Sequence, residues 1–474
     1  MKRLLIAACA FAALNASAQV TTYRDIKTPP LRNVSMPQPQ RIVLGNGMVI
    51  FLMEDHQLPL VRGSAVIRGG GRNVPPEKAG LTGIYAASWR TGGTTTKTGD
   101  ELDELLESRA ARVETGAGID SSTVSMDVLK SDFDAVFPIW VDVLRNPAFR
   151  QEKIDLAKNI ANTSISRRND EPSTILGREM NKLGYGTQSP YARQPEYATI
   201  ASITRDDLLA FHRQFVHPNN IIVSFVGDFD SAKLEKQLRA TFGSWARGPE
   251  APKAGEAFAG PAKPGIYFVP KQDVTQASIA VVHPGVRRDN PDYFALVVMN
   301  DIFGGSFSGR LMQHLRSQRG LTYGVGGSVG ANWDYPGLFR VSMSTKSSTA
   351  LESVQAIRDE VRALVTQPVT AEELALAKES ILNAFVFTMD SRAKMLNQRV
   401  LLEFYGYPAD WYTKYPAMIE KVTAADVERV AKKYVHPDQL AVLVVGNQQE
   451  FEKPLTTLGE VTTIDVTIPE PAKK

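Results

Sequence analysis

The chain has 474 residues and a formal net charge of +3, from 54 Lys and Arg against 51 Asp and Glu. A nearly neutral chain without a block of basic residues argues against nucleic acid as a partner. At ~100 to 200 residues per domain the length accommodates two or more domains, and a single cysteine, Cys9, excludes a disulfide framework.

Met1-Lys2-Arg3, the run Leu4 to Leu14 and Ala16-Ser17-Ala18 have the charged, apolar and small-residue regions of a secretory signal. Residues 1–18 are therefore predicted to be a signal peptide, with cleavage before Gln19 and export to a bacterial periplasm. Loss of Lys2 and Arg3 takes the charge from +3 to +1, and loss of Cys9 leaves no thiol chemistry. In Ile6-Ala7-Ala8-Cys9 too few apolar residues precede the cysteine for a lipoprotein signal, whose apolar region needs ~7 or more. No later apolar run approaches the ~18 residues of a membrane span. Residues 19–40 read as a polar, Pro-dotted arm.

Val49 to Met53 and the alternating run Val61 to Ile67 read as strands. They are followed by Gly69-Gly70-Gly71-Arg72 and Pro75-Pro76-Glu77. Within Lys78 to Thr94, Leu81, Ile84, Tyr85 and Ser88 follow helical spacing, and Gly92-Gly93 ends the run, predicting a short buried helix. Leu102, Leu105, Leu106, Ala110 and Val113 make a second apolar stripe, with Glu101, Glu104 and Glu107 on its solvated side.

The strongest organisational feature is an internal duplication. Ile203-Thr204-Arg205-Asp206-Asp207-Leu208, running to Phe215-Val216-His217-Pro218-Asn219-Asn220-Ile221-Ile222-Val223 and Val226-Gly227, has a second copy. That copy is Val422-Thr423-Ala424-Ala425-Asp426-Val427, then Tyr434-Val435-His436-Pro437-Asp438-Gln439-Leu440-Ala441-Val442 and Val445-Gly446. Each copy reads as a Thr-capped helix, a His-Pro turn and a buried strand ending at Gly. Val49 to Met53 with Leu60 to Ile67 parallels Ile266 to Pro270 with Gln276 to Val282, so the repeat is a duplicated domain, its ~215-residue spacing being far beyond solenoid periods. The Pro/Gly/Ala-rich residues 248–264 read as an exposed linker. The predicted organisation is a domain over 41–247, this linker, a domain over 265–447 and a tail over 448–474. Strand pairs followed by long helices predict an α+β fold, each unit a mainly antiparallel sheet with helices packed on one face. Thr370-x-x-Glu373 is a capping box opening one of those helices, through Leu374, Ala377, Ile381 and Phe385.

In the second unit Phe303-Gly304-Gly305-Ser306-Phe307-Ser308-Gly309-Arg310-Leu311 leads to Leu315-Arg316-Ser317-Gln318-Arg319-Gly320-Leu321-Thr322-Tyr323. Leu311, Met312 and Leu315 give a helix a buried face, Gly320 suits the left-handed position after its end, and Tyr323 is predicted to start a strand. By residue type alone, Arg316 completes carbonyl contacts at a helix end and Tyr323 packs in a strand. The alternative is that both are free hydrogen-bond donors. Of the six histidines, His56, His212, His217, His283, His314 and His436, none pairs with another at the i,i+4 spacing of metal ligands on a helix. Gly326-Gly327-Ser328-Val329-Gly330 satisfies G-x-S-x-G without the helix a nucleophile elbow needs. Ser391-x-x-Lys394 and Lys97-Thr98-Gly99 stand in the reverse of the order used by penicillin-interacting enzymes. All three are read as chance matches.

The order of these segments resembles the pitrilysin/insulinase family of zinc peptidases, in particular mitochondrial-processing-peptidase-like chains. The resemblance covers about residues 41 to 447 and places the family's inverted motif H-x-x-E-H on Gly83, Ile84, Tyr85, Ala86 and Ala87. The family's third ligand, a glutamate, falls near Asn162, Thr163 or Ser164, ahead of Arg167-Arg168-Asn169-Asp170-Glu171-Pro172. Gly83, Ala86 and Ala87 offer no imidazole or carboxylate, so the resemblance implies the fold of a zinc peptidase without metal or catalytic residues in this chain. It further implies two units opening like a clam shell around an extended peptide, with Arg316 and Tyr323 as the family's substrate-binding Arg/Tyr pair.

Family members of this size include heterodimers in which one subunit holds zinc and the other supplies the Arg/Tyr donors. The expected function is that of such a non-catalytic subunit, inactive alone and paired with a homologous zinc-bearing chain to degrade or process peptides. A stand-alone periplasmic peptide-binding or scaffold protein is the second reading.

Overall fold

Val61, Gly63, Ala65 and Ile67 are buried while their alternate neighbours are more open, and the pattern sets strand β3 (Leu60–Arg68) against a core on one side. The structure, a computed structural model, describes residues 37–470. The signal peptide expected over 1–18 and all but the end of the arm lie outside the described residues.

The first sheet contains β1 (Gln40–Val43), β2 (Val49–Glu54), β3, β4 (Arg112–Ala117), β5 (Ser121–Leu129) and β6 (Ile221–Gly227), in the order β1-β2-β6-β3-β5-β4. The β2 and β6 strands are parallel and the other pairs antiparallel. In the second, β7 (Gly265–Pro270), β8 (Gln276–Pro284), β9 (Val286–Arg287), β10 (Val325–Asn332), β11 (Pro336–Lys346), β12 (Ala441–Gly446) and β13 (Val461–Thr463) run in the order β13-β7-β12-β8-β11-β10-β9. Here β12 lies parallel to β7 and antiparallel to β8, as β6 does to β2 and β3. The fold is α+β, built as two tandem, equivalent halves.

The duplicated sequence forms matching pieces. Thr204 Oγ1 accepts from Asp207 N at 3.2 Å to start the helix Arg205–Phe215, and Thr423 Oγ1 accepts from Asp426 N at 3.1 Å to start Ala424–Tyr434. A short turn over Pro218–Asn220 or Pro437–Gln439 then feeds β6 or β12. Thr204→Ala or Thr423→Ala should each lower stability by about 1 kcal/mol in urea unfolding, the usual cost of a lost N-cap.

Every residue of β6 and of β12 is buried, because both faces of the sheets are covered. Each half lays its own helices on one face. The second face is covered by a helix from the other half. Ile175, Leu176, Met180 and Leu183 of the helix Pro172–Tyr185 pack with Val269, Ala280, Val282, Leu443 and Val445 of the second sheet. Reciprocally, Leu396, Val400 and Phe404 of the helix Arg392–Tyr405 pack on Phe51, Met53, Ile222 and Val226 of the first. At ~1.5 to 3 kcal/mol per buried large apolar side chain, this exchange is a major source of cohesion.

Two expectations change, at the tail and at the Leu102 stripe. Residues 248–264 hold no helix or strand and most of them are exposed, with the segment pinned at a few points. Asn219 Oδ1 accepts from Gly248 N (2.9 Å), Asn220 Oδ1 from Ala251 N (3.0 Å), Ala262 N donates to Leu183 O (2.8 Å), and Ala257 is buried. Backbone polar groups held against protein need partners, and these bonds supply them. The tail contributes β13, parallel to β7, and Asn169 Nδ2 reaches back to Val466 O at 2.6 Å. The Leu102 stripe ends early. Its helix is Gly99–Glu107, Ala110 turns the chain with φ of 48°, and Val113 lies in β4.

Candidate functional site

The helix Leu81–Trp89 begins after Gly80, whose φ of 100° favours glycine. Leu81, Ile84, Tyr85 and Ser88 are buried, as their spacing predicts. Tyr85 Oη and His212 Nδ1 lie 2.9 Å apart, and Trp89 and Phe149 pack on the Tyr85 ring. Burial pushes the Tyr85 hydroxyl well above its ordinary pKa and brings His212 down to about 3, so the pair is neutral. This side of the helix is packed core.

The other side opens on a cleft of about 380 Å³ lined by Gly83, Ile84 and Ala87, and across from them by Ala157, Ile160, Ala161 and Ser164. The last four stand on the helix Gln151–Ser166. Of Asn162, Thr163 and Ser164, where the resemblance places a third ligand, only Ser164 lines this cleft. The Thr163 and Ser164 hydroxyls donate to the carbonyls of Asn159 (2.9 Å) and Ile160 (3.0 Å). A zinc site needs imidazole, thiolate or carboxylate donors, and methyl, methylene and hydrogen-bonded hydroxyl groups do not fit the metal. Among the described residues no group of three His, Cys, Asp or Glu side chains converges elsewhere.

Arg316 and Tyr323 come together. After the helix Tyr293–Phe303, an added Cβ on Gly304 would lie 2.5 Å from Leu311 Cδ1 and 2.7 Å from Gly327 N, so only glycine lets these segments approach. Met312–Gln318 then forms a wide π-type turn, with Leu311 and Leu315 buried beneath it and Gly320 at φ of 62° behind it. The Arg316 Cζ lies 4.7 Å from the Phe307 ring centroid and 5.0 Å from that of Tyr323. Tyr323 is 89% exposed and sits in the loop before β10, two residues short of the strand it was expected to start. Among the described residues neither the Arg316 guanidinium nor the Tyr323 hydroxyl has a hydrogen-bond partner. The carbonyl contacts and strand packing that residue type alone predicts are therefore not made. Two donors are left unpartnered, one half-buried at Arg316 and one exposed at Tyr323.

Phe307 was not singled out by its sequence pattern, although a large aromatic residue in a Gly/Ser loop is a signal in itself. The chance matches have structural roles. Ser328 lies in β10, Ser391 Oγ accepts from Lys394 N at 3.3 Å as a helix cap, and Thr98 Oγ1 caps Glu101 N at 3.2 Å. His217 and His436 hold turns, their carbonyls accepting from Asn220 N (2.9 Å) and Gln439 N (3.0 Å).

Residues 50–192 match a family model described as insulinase (peptidase family M16), and residues 202–381 match one described as the peptidase M16 inactive domain. An uncharacterized zinc protease, YmxG, of Bacillus subtilis (strain 168) is 22% identical over 398 residues, covering 82% of this chain and 93% of that protein. A non-peptidase homolog, also YmxG, of Helicobacter pylori (strain ATCC 700392 / 26695) is 22% identical over 400 residues, covering 84% and 91%. A solved peptidase M16 inactive domain from Pseudomonas fluorescens superimposes with a TM-score of 0.78 at 23% identity, over 88% of this chain and 100% of that one. A protease from Helicobacter pylori gives 0.75 at 17% identity, over 86% and 100%. At these identities the solved structures speak to the fold.

Proposed function

The chain belongs to the insulinase family, peptidase family M16, and on that premise we propose that it is a non-catalytic, substrate-binding subunit of a two-chain zinc peptidase. The observation that carries this reading is the pairing of a cleft at Gly83 and Ala87 that is lined by no His, Cys, Asp or Glu with the unpartnered donors of half-buried Arg316 and exposed Tyr323. The name given to the Helicobacter pylori relative, a non-peptidase homolog, agrees with it. The partner is a homologous chain bearing zinc, both are exported, and the compartment is the periplasm.

In such a complex the partner's zinc supplies the activated water. The peptide lies extended along a sheet edge of the partner, where main-chain bonds give affinity with weak sequence preference. Arg316 and Tyr323 offer hydrogen-bond donors to the bound peptide at the edge of the partner's site.

Co-expression with a homologue carrying the intact zinc motif tests this. The expected result is a stable 1:1 complex whose peptidase activity falls about tenfold or more for Arg316→Ala or Tyr323→Phe, as for one lost charge-assisted hydrogen bond. The chain alone should show no turnover. Unchanged activity in the variants, or enzymatic cleavage by the single purified chain, would overturn the proposal. Peptide binding without any complex would favour the stand-alone binding protein instead.

A further inference from the structure

Of the four basic side chains on the segment 310–319, the three other than Arg316 each have a carboxylate partner. Arg310 Nε meets Glu373 Oε1 at 2.6 Å, His314 Nδ1 meets Glu360 Oε1 at 2.8 Å, and an Arg319 terminal nitrogen meets Glu352 Oε1 at 2.9 Å. Arg316 stands among them unneutralised, and what it touches is two rings. Phe307 is 65% exposed and Tyr323 89% exposed, although burying either would be favourable. A guanidinium over aromatic faces keeps its charge and its planar fork of N–H donors, while the rings restrict where that fork points.

We infer that Phe307, Arg316 and Tyr323 form a binding site for a carboxylate group of the bound peptide, with Phe307 as the positioning residue for Arg316. This rests on the proposed role of Arg316 and Tyr323 and adds the class of group recognised. A carboxylate matches the guanidinium fork bidentately, which a single carbonyl oxygen does not. It also supplies the negative charge that every neighbouring basic group already has. The Tyr323 hydroxyl adds a donor at the rim. The carboxylate has two sources in a peptide, its C-terminus and an Asp or Glu side chain.

The test is fluorescence anisotropy with the purified full-length chain and a dye-labelled peptide ending in glutamate. Companion peptides carry a C-terminal amide, glutamine in place of the glutamate, or both changes. Removing the carboxylate that is used should raise Kd about tenfold, and the arm that does so identifies its source. Arg316→Ala should raise Kd for the acidic peptide to the level of the doubly neutral one. Phe307→Leu should raise it roughly threefold, and Phe307→Trp should restore it, because a ring face and not bulk is what Arg316 needs. Thermal melts should be unchanged for these surface variants. Equal Kd for all four peptides overturns the carboxylate site, and wild-type affinity in Phe307→Leu overturns the positioning role. Loss of activity in a two-chain complex by Arg316→Ala, with no preference among the four peptides, sinks this inference and leaves the proposed function standing. If Arg316→Ala changes neither measurement, both fall.

Discussion

Gly83→His, Ala87→His and Ser164→Glu, introduced together, should give a chain that takes up one zinc ion per molecule. Positions 83 and 87 are i and i+4 on one helix, so two imidazoles there share a face. Ser164 borders the same cleft from the opposite helix, which brings a carboxylate to the pair. Space is available, since nothing lies within 4 Å of a Cβ built on Gly83. Metal analysis after refolding in zinc should show one equivalent in the triple variant and none in the unsubstituted chain. At free zinc about 100-fold above Kd, binding should stabilise the fold by about 2.7 kcal/mol, visible as a higher melting temperature. Hydrolysis should still be absent, because Ala86 offers no carboxylate to activate water. A well-folded triple variant that binds no zinc would show that the cleft is not where relatives of this fold hold the metal.

Mild acid should cost this protein about 5 kcal/mol of stability between pH 6.5 and 4.5. Burial brings His212 down to about 3 and His283 to about 4, against an ordinary value of 6.5. Below pH 6.5 the unfolded chain gains a proton at each site and the folded chain does not, so stability falls as pH falls. Each group contributes about 1.4 kcal/mol per pH unit until its own folded pKa is reached. The sign is opposite for His56, whose pKa is raised by a hydrogen bond with Asp228, but it is fully exposed and screened. Carboxylates act lower down. Asp292, desolvated but held at about 2 by bonds from Lys433, Tyr434 and Arg429, loses its contribution between its ordinary range and that value. Urea unfolding at the two pH values measures the drop. His212→Gln, which keeps a hydrogen-bonding group beside Tyr85, should remove about half of it. A flat profile would mean that neither histidine is held neutral.

Much of the fold could be read in the amino acids because local chemistry recurs at a fixed spacing. The apolar period at Leu81, Ile84, Tyr85 and Ser88 and the Thr-x-x-Asp caps at Thr204 and Thr423 specify elements without reference to the rest of the chain. The exchange of helices between sheets was not legible. The stripe Ile175, Leu176, Met180 and Leu183 says that a face must be covered, and either sheet satisfies that requirement. Val113 is ambiguous in the sequence for a related reason. It keeps the helical period of Leu102 and Leu106 while the backbone has already turned at Ala110. The carboxy-terminal strand Val461–Thr463 is not legible, because three residues carry no usable period.

At the site, the absence of zinc-binding chemistry at Gly83, Ala86 and Ala87 follows from residue type once the motif is located. The placing of Arg316 and Tyr323 came from resemblance, because an arginine and a tyrosine seven residues apart have many ordinary uses. Phe307 joins them only in three dimensions.

The traded helices also bear on how such a chain can have arisen. A single ancestral unit would have had a bare sheet face and a helix with nowhere of its own to lie. Two copies, each lending that helix to the other, would have met both needs, and joining the genes through what is now 248–264 would have made the loan permanent.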